Sequence, residues 1–235
     1  MSILKRYFIF VVGIWIQSAG IALVVKSLLG TSPISSVPFV LSTAFPLSLG
    51  AMTFIVNMVF LAGQLALMGR RFQKMQLVQI PVTLIFALFI DFYMYVFAAV
   101  APMLYVAKLA ILLLGAAGVA LGVSLQVIAN VVMLPGEAIV NAIAVRWHID
   151  FGRTKTVFDT TLVVLAVAFS FAWLDSIEGV REGTLISALI TGTIARFFIL
   201  HLSKVDALGQ LVFAPHLSSE RRTSSAAKIA VSEKN

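Results

Sequence analysis

The chain has 235 residues, 60% of them apolar and 11% charged, with a mean hydropathy of +1.04 and a net charge of +7. A soluble domain of this length needs a charged shell that this composition does not supply, so water is excluded as its main solvent. Cysteine is absent, which excludes disulfides, thiolate metal sites and cysteine nucleophiles, and the scattered histidines make no metal signature.

The apolar segments are long and continuous rather than alternating, which predicts helices that satisfy their own backbone in lipid. A stretch of about 20 apolar residues crosses the hydrocarbon, and six stretches meet that length: roughly 7–25, 49–69, 77–99, 105–131, 156–174 and 183–203. The first lacks a small-residue cleavage site after a short core and reads as a helix, not a signal peptide. Two shorter stretches, 33–47 and 135–147, each open with proline at a first helical position and read as re-entrant or interfacial helices. The expected fold class is all-α: one polytopic membrane domain over residues 1–212, followed at 213–235 by a disordered basic tail rich in Ser, Lys, Arg and Glu.

Charge sets an orientation. With the amino terminus in the cytoplasm, Lys5, Arg6, Arg70, Arg71, Lys74, Arg146, Arg153, Lys155, Lys204 and the tail's bases fall inside, while Lys26, Lys108 and Arg181 fall outside. The mostly acidic loop from Asp175 to Glu182 also falls outside, and both termini are expected in the cytoplasm. This asymmetry accounts for the positive charge, so the lipid bilayer is the expected partner and nucleic acid is not.

A shift of 102 residues superposes Gly13 on Gly115, Gly20 on Gly122, Pro33 on Pro135, Gly50 on Gly152 and Asn57 on Asp159. With a one-residue slip, Thr83, Leu84, Ile85, Ala87 and Leu88 meet Thr184, Leu185, Ile186, Ala188 and Leu189. A duplication follows, with repeat one over about 5–101 and repeat two over about 105–203. Three crossings per unit is an odd number, so the copies are expected to be inverted, as in many secondary transporters.

Several segments carry a resemblance: Leu29 to Pro33 (LGTSP), Leu134 to Asn141 (LPGEAIVN), Phe151 to Thr160 (FGRTKTVFDT) and Glu178 to Leu185 (EGVREGTL). Over roughly residues 5–203 the chain resembles the YczE/YyaS/YitT family of bacterial membrane proteins. The resemblance implies a multi-pass protein of the bacterial cytoplasmic (inner) membrane and brings no activity, substrate or catalytic residue with it.

Ionisable and amide groups inside spans are expensive unless paired or facing a cavity, which singles out a few positions. Glu137, in the first turn of the second short helix, reads either as a helix-capping acid or as a proton or cation site, with Asn141 one turn further on the same face. Asp159 reads first as a salt bridge to Arg153 or Lys155, and its repeat partner Asn57 puts a second polar group near the axis between halves. Gln126 and Asn130 share a helix face and serve either a solute or another helix. Asp91 is expected to form a structural ion pair with Arg196. Ser32 is a candidate cap at a helix start whose amides can bind an anion, with a simple turn as the plainer account. The glycine rows at 13 and 20, and at 115, 118 and 122, read as helix-packing surfaces.

The leading functional expectation is a small-solute transporter or permease with a central site between inverted repeats. The alternatives are a substrate-binding membrane subunit served by an energy-coupling partner and a non-transporting scaffold or regulator. A homo-oligomer is compatible with all three. No Walker-type phosphate loop, His-Glu-x-x-His motif or Gly-x-Ser-x-Gly elbow is present, so neither enzymatic activity nor a cofactor or metal is expected.

Overall fold

Apolar segments that bond their own amides form the helices of the described residues. The computed structural model describes residues 3–69, 72, 74–149 and 151–202. Among them are α1 (Ile3–Lys26), α2 (Pro33–Ala44), α3 (Leu49–Met68), α4 (Gln79–Val96), α5 (Tyr105–Ala129), α6 (Pro135–Trp147), α7 (Phe151–Leu174) and α8 (Glu182–Leu202), with a 3-10 turn at Lys74–Val78 before α4. Arg70, Arg71, Lys204, the tail at 213–235 and the side chains of Lys74 and Arg196 lie outside what is described.

Five helices, α1, α3, α4 with its leading turn, α5 and α7, are long and apolar enough to cross a membrane. Large apolar side chains also face outward, among them Leu4 at 81% exposed and Leu114 at 66%. Lipid accepts such a surface where water does not, and the molecule is accordingly a multi-pass membrane protein.

The helix bounds differ from expectation for local reasons. Helix α1 begins at Ile3 and α7 at Phe151, so both include flanking bases that extend beyond the apolar stretch. Helix α2 stops at Ala44 rather than continuing to 47, because Phe45 precedes Pro46 and takes an extended backbone, φ −121° and ψ 153°. Helix α5 ends at Ala129, capped by Asn130 in the left-handed region at φ 46°.

The core is built on α1 against α5. A Cβ added at Gly20 would stand 2.5 Å from the Val119 nitrogen and 2.7 Å from the Gly115 oxygen, and one at Gly122 would stand 2.6 Å from the Gly13 oxygen. The expected glycine rows therefore meet each other, 13 with 122 and 20 with 115, and bring the two backbones into contact. Arg6, near the start of α1, donates through Nε to the Ala129 carbonyl at 2.8 Å and through Nη2 to the Asn130 carbonyl at the end of α5. The two helices thus run antiparallel, with a cation at the negative end of α5.

Around this pair, α1 also packs on α4, α5 on α8, α2 on α7 and α3, α6 on α3 and α7, and α3 on α4. Exchanging α1 to α4 for α5 to α8 turns α1 with α4 into α5 with α8, α2 with α3 into α6 with α7, and α2 with α7 into α6 with α3. It leaves the α1–α5 pair as itself, while α3 with α4 has no comparable α7 with α8 among the described residues. The prolines that open α2 and α6, Pro33 and Pro135, keep the same step of 102 residues.

Candidate functional site

A cavity of about 250 Å³ opens among the end of α3, the 3-10 turn, α4, the end of α5 and α6. Helix α6 presents Ala138, Asn141, Ala142 and Val145 to it, a spacing that lies on one helical face. From α5 come Gln126 and its cap Asn130, and from the 3-10 turn and the start of α4 come Gln76 and Gln79. Met68, Met75 and Met133 supply adaptable apolar wall. Among the described residues no Asp, Glu, Lys, Arg or His lines the space.

The amides are held in place from behind. Gln79 is buried and exchanges hydrogen bonds with Gln64 at 3.3 and 3.4 Å, and Gln64 also donates to the Pro135 carbonyl at 3.1 Å. Gln126 donates to Gln17 Oε1 and to the Gly122 carbonyl at 3.2 Å. It therefore bonds another helix and lines the cavity at once. The Gln76 Oε1 atom is buried without a donor among the described residues. Buried acceptors of this kind ordinarily find a partner, so this one is ready for a solute or water donor. Carboxamides offer donors and acceptors without charge, so the lining suits a small, neutral polar solute.

Beside the cavity face of α6, outside its described lining, lies an ionic cluster. Lys155 Nζ sits 2.9 Å from Asp159 Oδ1 and 3.4 Å from Glu137 Oε1, each side chain about a quarter exposed, at 25%, 23% and 28% in turn. The expected bridge from Asp159 to Lys155 is present as an (i, i+4) pair, and Glu137 joins it from the first turn of α6. Asn57 donates to the Thr53 carbonyl of its own helix at 2.8 Å. Its Oδ1 would stand 3.8 Å from a Cβ on Gly136, the residue before Glu137. The polar pair Asn57 and Asp159 thus brackets the start of α6.

Ser32 and Asp91 belong to neither group. Ser32 stands at the N-cap of α2, but its hydroxyl makes no capping bond and donates to Ser35 Oγ at 2.9 Å instead. The amide of Thr31 beside it is taken by the Gly179 carbonyl at 2.9 Å, so that amide is not free for an anion. Asp91 accepts from Ser48 Oγ at 2.6 Å and from the Gly50 amide at 2.7 Å, which places its carboxylate at the N-terminus of α3. The clamp expected of Asp91 is therefore made to a helix end, and its pairing with Arg196 lies outside the described residues.

Sequence reasoning missed Gln17, Gln64, Gln76 and Gln79. The available signal was that amides inside otherwise apolar spans need partners. Among the described residues no group of three or more His, Cys, Asp or Glu side chains gathers as a metal site.

The model of a family of unknown function (DUF6198) matches residues 4–200 of the chain. No curated protein and no solved structure matches it.

Proposed function

The chain belongs to the DUF6198 family, and from its own geometry we propose that it is a non-enzymatic carrier of a small, neutral polar solute in the bacterial inner membrane. The observation that carries this reading is the amide-lined cavity, to which α3 and α4 contribute from the first half of the chain and α5 and α6 from the second. Sites built between repeats near short helices are the usual arrangement of secondary transporters.

In this reading α8 is the sixth span, and α1 to α4 and α5 to α8 are inverted copies. The step of 102 residues from Pro33 to Pro135 and the exchange of most helix pairs support it. The antiparallel run of α1 and α5 supports it as well. The distribution of basic residues favours cytoplasmic termini, with the cavity opening on the cytoplasmic face. The motifs that resemble the YczE/YyaS/YitT family agree with an inner-membrane location. Gln126, Asn130 and Asn141 are assigned to solute contact. Glu137, Lys155 and Asp159 brace α6 next to that site.

Thermal-shift screening of the purified protein against a library of small metabolites tests the proposal. A neutral polar compound is expected to raise the midpoint, and Asn141→Leu is expected to weaken its binding about tenfold, as for one lost hydrogen bond. Binding unchanged in that variant, or a preference for charged compounds only, would remove the cavity as the solute site.

A further inference from the structure

The cavity has a counterpart position on the opposite face, and there the chain is closed. The step of 102 residues pairs Asn141 with Phe39, Ala142 with Val40, Ala138 with Ser36 and Met133 with Thr31, and the slipped register of the third helix pairs Val78 with Gly179. Where Asn141 borders open space, the ring of Phe39 lies against Gly179, filling the place a side chain on that residue would need. Gly179 also holds φ at +73°, a conformation that favours glycine.

Hydrogen bonds close the same seam. Thr31 donates through both its amide and its hydroxyl to the Gly179 carbonyl, at 2.9 and 3.0 Å. Gly183 donates its amide to the Leu29 carbonyl at 2.8 Å, and Arg181 donates to the Leu28 carbonyl at 3.3 Å. Thr31, Ser36 and Val40 are buried beneath it. At the matching place on the cavity side, the 3-10 turn leaves Met75 63% and Val78 38% exposed.

We propose that Phe39 seated on Gly179 is the plug of a second gate, and that the two faces open in alternation. The structure then represents the state with the Asn141 face open and the Phe39 face sealed. This inference rests on the carrier reading above and adds its gating. Packed interfaces are bistable rather than continuously deformable, so opening one face while the other closes is a discrete exchange of packings.

Because the chain contains no cysteine, single-cysteine variants report each face directly. Asn141→Cys and Ser36→Cys are each made alone and with Phe39→Ala, then treated with a membrane-impermeant maleimide in sealed vesicles of both orientations. Asn141→Cys is expected to react only from the face bearing residues 70–75, and Ser36→Cys from neither. Adding Phe39→Ala should make Ser36→Cys react from the face bearing residues 175–181, and should slow Asn141→Cys about tenfold as the population shifts. Ser36→Cys that stays unreactive, or reacts with no slowing at Asn141→Cys, overturns the proposal. Phe39→Leu keeps an apolar side chain and should move both rates in the same directions by less. If Ala120→Cys, buried on α5, becomes reactive with both Phe39 variants, the ring supports the core and is not a gate. Labelling requires no solute, so an empty metabolite screen would sink the carrier reading and leave these rates to judge the gate separately.

Discussion

Lys155 holds carboxylates from two helices at once, Asp159 from its own α7 and Glu137 from α6. Removing its charge leaves two acids facing each other in a partly buried setting. Lys155→Met is therefore expected to destabilise the protein in detergent by about 2 kcal/mol, with part of that recovered when Asp159→Asn is added. Unfolding of the single and double variants measures it, and equal loss in both would mean that the lysine contributes packing and not charge pairing. Asp91 provides a second case. Asp91→Ala removes the acceptor of Ser48 and Gly50 at the start of α3, and a loss of about 1–2 kcal/mol is expected, as for a helix cap. No change in the unfolding midpoint would show that α3 does not depend on it. The pairing of Asp159 with Lys155 was legible in the sequence because four residues make one helical turn. The arrival of Glu137 was not, because it depends on α6 lying beside α7. The Ser48 and Gly50 partners of Asp91 were equally hidden, because they require α3 to pack on α4.

Helices α1 and α5 meet through glycines, and the consequence is steric. Gly20→Val would drive a side chain into the backbone of α5, where even a Cβ stands 2.5 Å from the Val119 nitrogen. A loss of at least about 2 kcal/mol and poor recovery of folded protein are expected. Gly118→Ala is the contrast, since its Cβ would stand 3.2 Å from the Gly20 Cα, and it should be far milder. Size-exclusion profiles and unfolding midpoints compare the two, and equal tolerance would show that the helix pair can separate freely. The existence of the eight α-helices was readable from apolar run length and proline position, but the 3-10 turn before α4 was not. The ends were read less well, because charged residues continue a helix past the lipid, as at Ile3 and Phe151, and because Pro46 stops α2 early.

For the molecule as a whole, the proposed orientation rests on the distribution of charge. Reporters fused after His148 and after Leu202 are expected in the cytoplasm, and one inserted near Gly179 on the other side of the membrane. Reporters at His148 and Gly179 in one compartment would break the six-span topology and the carrier proposal with it. Sequence by itself determined the solvent and the all-helical class, because a lipid-facing helix must write its length and apolar character into consecutive residues. It also marked Gln126, Asn130 and Asn141 as polar positions needing an explanation. Only the tertiary structure decided that these three border one cavity with Gln76 and Gln79, and that Phe39 fills the matching place on the other face. Those facts depend on how far helices approach across tens of residues of intervening chain, a distance set by packing and absent from any local pattern.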